Sequence, residues 1–175
     1  MASHAVVTEG TRRVIGVDPG LSITGWGIVD GDGASGRLID CGVIRTKPKH
    51  ARAERLHHIT ENIRDLIREF DPAELAVEQQ FVAVNVRSAM VIGEARAAAM
   101  ISAAGEGIPV FEFAPTSVKE SVTGWGGAPK EQVQQMVAVY LGVAEIDGPL
   151  DVSDALAVAL TRLGDLRLEL ALARS

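Results

Sequence analysis

The chain has 175 residues, 47% of them hydrophobic, a formal net charge of -6 and a single cysteine. This is enough for one buried core of ordinary single-domain size, and the lone Cys41, expected as a buried strand residue, excludes an internal disulfide and a thiolate metal cage. No charge-free apolar window is long enough to span a bilayer and no signal-peptide layout opens the chain, so a cytoplasmic location is expected.

Residues 1–11 lack periodicity and read as a disordered leader, followed by a single domain over 12–170 and a tail over 171–175. The domain opens on residues 13–30, RVIGVDPGLSITGWGIVD. Val14, Ile15 and Val17 make a buried strand that stops at Asp18-Pro19-Gly20, because proline has no ladder donor and glycine admits the turn. A carboxylate at the end of such a run is costly unless something binds it, so Asp18 is either a metal ligand or an aspartate capping the turn. Residues 24–29 read as a second strand returning beside the first, with Gly25 and Gly27 leaving one face bare. Asp30-Gly31-Asp32-Gly33 has the residues of a hairpin turn, and 37–46 continue as a third antiparallel strand.

Arg45, Lys47, Lys49, Arg52 and Arg55 form the one basic cluster, opposed within it by Glu54 alone, with His50 inside and His57 and His58 following. A solvated loop and helix face is its plain reading; the alternative is that, with Lys119 and Lys130, it gives nucleic-acid binding a strong salt dependence. Over 51–70, Leu56, Ile59, Ile63, Leu66, Ile67 and Phe70 recur at helical spacing, and Asp71-Pro72 ends the helix. Residues 75–78 then repeat the opening pattern, a short apolar run delivering an acid, Glu78. A strand-helix-strand connection favours a parallel neighbour with ligand sites at the carboxyl ends, which would set Glu78 beside Asp18; a solvated strand-end glutamate is the alternative.

Residues 85–104 form an alanine-rich helix whose small side chains suit close packing, on its own sheet or on a second copy of itself. A strand is expected over 109–113, a short helix over 116–123, a loop over 124–129 and a helix over 130–141. Lys119 and Lys130 flank that glycine-rich loop, and bare amides between ammonium groups favour phosphate. Asp151 and Asp154, three residues apart at a helix start, can share one face, unless they serve only as first-turn capping acids.

Three separate elements therefore present carboxylates, a donor set that suits hard ions such as Mg²⁺ or Mn²⁺. Two such ions about 3.5–4 Å apart can activate water against a phosphodiester and stabilise the leaving oxygen. Four acids gathered at one ion-binding site also leave the rest of the chain nearly neutral, so the net charge does not exclude a nucleic-acid partner.

The order and spacing of Gly16-Val17-Asp18-Pro19-Gly20 with Thr24-Gly25-Trp26-Gly27, of Glu78-Gln79-Gln80-Phe81, of residues 115–130 and of Asp151-x-x-Asp154-Ala155 resemble the RuvC family of Holliday junction resolvases over residues 14–159. The resemblance implies an α/β fold of the ribonuclease H-like kind, a mixed five-stranded sheet of three antiparallel strands then two parallel, with helices on both faces. It implies Asp18, Glu78, Asp151 and Asp154 as ligands of two divalent cations per subunit, Mg²⁺ or Mn²⁺, and Lys119 and Lys130 facing the scissile region and backbone phosphates. Phe81 would stand at the junction centre, and Gln80, Asn85, Arg87 and Ser88 would contact DNA. A homodimer would nick opposite strands of a four-way junction symmetrically, leaving 5′-phosphate and 3′-hydroxyl ends, in concert with the branch-migration proteins RuvA and RuvB. Two other readings differ in class. An actin-like or sugar-kinase ATPase shares the opening hairpin but needs two such domains and an adenosine pocket, and a junction-binding module that does not cut would leave the acids unexplained.

Overall fold

The structure, a computed structural model, describes residues 11–79 and 86–173, with side chains described at all of these but 86, 87, 170 and 173. The expected positions Gln80, Phe81 and Asn85, the side chain of Arg87 and the leader over 1–10 lie outside the described residues.

Strands β1 (Arg12–Asp18), β2 (Ile23–Gly31) and β3 (Gly36–Arg45) form an antiparallel meander, followed by helix α1 (Arg52–Phe70) and strand β4 (Glu74–Glu78). Helix α2 (Val86–Gly105), strand β5 (Val110–Phe113) and helices α3 (Pro115–Thr123), α4 (Lys130–Leu141) and α5 (Leu150–Ala173) complete the chain. The sheet order is β3-β2-β1-β4-β5, with β1, β4 and β5 parallel to one another, as the sequence leads one to expect. Helix α5 runs on through 173, past the position where the domain was expected to give way to a tail.

Strand alternation divides the core into two layers. Ile15, Val17, Ile28, Leu75 and Val77 face α1 and α2, where Ile59, Ile63 and Ile67 of α1 and Ala95, Ala99 and Ala103 of α2 meet them. Val14, Val29 and Ala76 point the other way, toward α3, α4 and α5. The acids at the strand ends follow the same period of two: Asp18 and Glu78 project on the α5 side.

Glycine decides how closely α5 lies on that side. A Cβ at Gly16 would collide with the Ala155 carbonyl oxygen, and one at Gly25 with that of Asp151. The backbone of α5 thus rests directly on β1 and β2, and a bulkier strand residue would lift the helix away. Midway along it Arg162, 3% exposed, pins α5 to the sheet: Nε donates to Glu74 Oε2 at 2.7 Å, Nη1 to Glu169 Oε1 at 2.7 Å, and the guanidinium stacks 3.5 Å from the Phe111 ring centre.

Two expectations are corrected. The hairpin between β2 and β3 turns at 32–35 rather than 30–33: Asp30 stays in the strand, where its buried carboxylate accepts from Arg13 and Arg37, and Asp32 Oδ1 shapes the turn by accepting from the Ala34 and Ser35 amides. Cys41 lies on β3 as expected but is half-buried, because this strand edges the sheet.

Candidate active site

In the parallel pairing of β1 with β4, Val17 stands opposite Val77, so the next residues, Asp18 and Glu78, leave adjacent strands side by side. Helix α5 begins against β2 at Gly25 and brings Asp151 and Asp154 to the same end of the sheet. The four acids interact. Burial first, then the carboxylates of Asp154, Glu78 and Asp151, push Asp18 up to about 7, with Lys130 opposing. Burial and Asp154 also raise Glu78, against the pull of Lys130 and Lys119.

Lys130, the first residue of α4, donates from Nζ to Asp154 Oδ2 at 3.1 Å. Its own ionisation is raised by that bond and by the charges of Asp154, Asp18 and Glu78. An ammonium is therefore the cation that answers the acids here. Among the described residues no three His, Cys, Asp or Glu side chains are gathered tightly enough to cage an ion as they stand. Four like charges held together by the fold, with one lysine turned among them, nevertheless form an oxygen-only donor set short of positive charge, which fits a hard divalent cation.

Two openings meet at these acids. One is a cleft of about 190 Å³ lined by Glu78, Asp154, Lys119 and Lys130 over a floor that includes Val118 and Val133. The other is a shallow groove of about 660 Å³ between the β1–β2 turn and the starts of α1 and α2, lined by Ser22, Arg52, Arg55, Ser88 and Asp151 among others. Asp151 thus lines the groove with Ser88, Glu78 and Asp154 line the cleft with Lys119 and Lys130, and the charges of all three acids act on Asp18. Trp125, in the loop between α3 and α4, is 60% exposed.

The sequence marks Arg52 and Arg55 only as members of the basic cluster and gives no sign of Ser22 or Thr46. Arg55 in fact donates from Nε to Thr46 Oγ1 at 2.8 Å and from Nη2 to Ser22 Oγ at 3.0 Å, joining three segments distant in sequence. The basic cluster was the available signal; its hydroxyl partners carried none. Among the described residues no helix is long and apolar enough to cross a membrane.

The comparisons with known proteins agree with this geometry. A family model for the crossover junction endodeoxyribonuclease RuvC matches residues 14–162. The RuvC of Chloroflexus aggregans is 43% identical over 148 residues, 85% of this chain and 90% of that protein, and the RuvC of Chlorobium phaeovibrioides is 46% identical over 151 residues, 86% and 80% of the two. The structure of T. thermophilus RuvC in complex with a Holliday junction substrate superposes with a TM-score of 0.86 at 35% identity, covering 90% of this chain and 96% of that one. The yeast mitochondrial Holliday junction resolvase Ydc2, at 11% identity and a TM-score of 0.64, shares the fold. A family model over residues 14–162, with relatives 43% and 46% identical over most of both chains, establishes that the chain belongs to the RuvC family of crossover junction endodeoxyribonucleases.

Proposed function

We propose that the chain resolves four-way DNA junctions in recombination and repair, hydrolysing one phosphodiester in each of two opposed strands at the site built by Asp18, Glu78, Asp151 and Asp154. The observation that carries this reading is the crowding of acids around Asp18, whose ionisation is pushed up to about 7 by burial and by its three neighbours. Half-buried carboxylates crowded against one another suit a site with a use for them, and a deficit of positive charge beside a two-lysine cleft suits divalent cations and phosphate together.

Asp18, Glu78, Asp151 and Asp154 would hold two divalent cations, Mg²⁺ or Mn²⁺. When bound, such ions supply an activated water and charge stabilisation for the leaving oxygen. The chain's own part is positional. Asp18 and Glu78 are carried by paired strands and Asp154 by a helix packed on glycine, so the backbone fixes where the acids stand and their side chains would close on an ion. Lys119 and Lys130, in the cleft with Glu78 and Asp154, bring positive charge to the side where a phosphoryl group gathers negative charge. Phe81, with Gln80, Asn85, Arg87 and Ser88, would meet the junction beyond β4.

Symmetric cutting calls for two sites, and the homodimer implied by the resemblance is supported by Met90 and Ile101 of α2, each 61% exposed on an alanine-rich helix. The same resemblance implies coupling to the branch-migration proteins RuvA and RuvB. End analysis of a labelled synthetic junction incubated with Mg²⁺ or Mn²⁺ tests the chemistry: nicked duplexes with 5′-phosphate and 3′-hydroxyl ends that ligase seals are expected. Products that ligase cannot seal would contradict it.

A further inference from the structure

The geometry points to Arg55 as a fixed binding site for a backbone phosphate of the strand being cut, on the side of the acids opposite the two lysines. The inference rests on the nuclease reading of the acid site and adds to it the path of the DNA strand.

Arg55 differs in its partners from the arginines that pair with acids. Arg13 and Arg37 pair with Asp30, Arg52 with Glu94, Arg64 and Arg68 with Glu106, Arg96 with Glu112 and Arg162 with Glu74 and Glu169. Arg55 has no carboxylate within ion-pair distance among the described residues and is held instead by two hydroxyls. Thr46 Oγ1 accepts from Nε while donating to the Leu21 carbonyl at 2.5 Å, and Ser22 Oγ accepts from Nη2. The Thr46 amide in turn donates to the Ser22 carbonyl at 3.1 Å. The guanidinium is thus half-buried, oriented by the β1–β2 turn and the end of β3, and left with its full charge and with unused N–H groups.

That arrangement suits an anion better than a structural tie. A residue needed only to join α1 to the turn would gain more from an acid than from two neutral hydroxyls, and an oriented arginine fork matches phosphate oxygens. The groove that Arg55 lines reaches Asp151, while Lys119 and Lys130 lie in the cleft on the other side. Of the charges facing the groove, Arg52 is engaged by Glu94, and Asp151 repels phosphate. Arg55 is then the cation that draws the strand into the groove, so that the chain crosses the acids with a phosphate secured on each side.

The test is junction affinity against salt concentration in the Asp18→Asn background with divalent ions chelated, so that binding is read alone. Replacing Arg55 by Gln keeps hydrogen-bonding groups for Thr46 and Ser22 but removes the charge; Arg55→Met removes both. Loss of one phosphate contact in each of the two subunits should reduce the slope of log affinity against log salt by about 1.8 and weaken low-salt binding by about tenfold or more in both variants. A parental slope in a folded Arg55→Gln would overturn the inference, and it would do so even if Arg55→Met failed to fold. Equal affinity of the parent for a four-way junction and for linear duplex would instead contradict the resolvase reading and leave the Arg55 result to be read on its own.

Discussion

The ammonium of Lys130 donates to the carboxylate of Asp154 at 3.1 Å, across the mouth of a cleft that also holds Glu78 and Lys119. The bond is largely exposed, so its direct worth to folding is small, at most about 1 kcal/mol. Its interest is electrostatic: it supplies a single positive charge to a group of acids that a divalent ion would neutralise more fully. Lys130→Met should therefore leave the melting temperature within a few degrees of the parent and tighten Mn²⁺ binding in a calorimeter, because an internal competitor is gone. Cleavage should fall nevertheless. Weaker Mn²⁺ binding would show that Lys130 supports the ion rather than competing with it.

Asp18 sets a pH dependence of stability in the metal-free protein. In the unfolded chain its carboxyl titrates near 3.8, whereas in the fold it is pushed up to about 7. Between these values the folded state holds a proton that the unfolded state has released, so stability falls as pH rises through this window and levels off above it. The loss should be on the order of a few kcal/mol in total. Asp18→Asn, neutral throughout, should flatten this slope, and saturating Mn²⁺ should restore stability at the alkaline end. Thermal melts from pH 4 to 8, with and without the ion, would check both; a parent whose stability rises steadily over the range would be the contrary result.

Gly25 holds the start of α5 against β2, and a methyl group there would run into the Asp151 carbonyl. Gly25→Ala should destabilise the fold by about 1–3 kcal/mol through overpacking. Below its melting temperature it should also cut far more slowly than the parent, since the helix that carries Asp151 and Asp154 is displaced. Unfolding curves alongside single-turnover cleavage separate the two effects. Full activity per folded molecule would mean that the acids tolerate a shift of the helix.

Lys119 belongs to the cleft without an ion-pair partner among the described residues, though its charge pulls on Glu78. If it acts on charge developing in the transition state, Lys119→Ala should slow cleavage at saturating DNA by about 10²-fold or more, with junction affinity little changed. A change confined to affinity would make it a phosphate contact only.

Much of this architecture is legible in the chain itself. Alternating apolar runs closed by Asp18 and Glu78 define adjacent parallel strand ends, and helical spacing of Ile59, Ile63 and Ile67 marks the face of α1 that is buried. The glycines of the opening hairpin were visible as a bare face, but that α5 is what covers it is a tertiary fact, since no local pattern in β2 names its partner. The same holds midway along α5, where Glu74 and Arg162 meet across 88 positions. The hairpin turn was misplaced because Asp-Gly repeats suit either of two registers; the choice falls to Arg13 and Arg37, which draw Asp30 into the strand. The sequence does not separate Arg55 from the rest of its basic cluster for the same reason: Thr46 and Ser22 become its partners only after the sheet has formed.

The most direct measurement is cleavage of a synthetic four-way junction, beside a linear duplex of the same sequence, by the parent and by Asp18→Asn with Mg²⁺ or Mn²⁺. The account predicts paired, symmetric nicks by the parent on the junction alone, and an Asp18→Asn variant that binds the junction at least as tightly but does not cut it, having lost one ligand and one negative charge facing phosphate. Cutting by Asp18→Asn at the parental rate would contradict the assignment of Asp18 to the centre of the site.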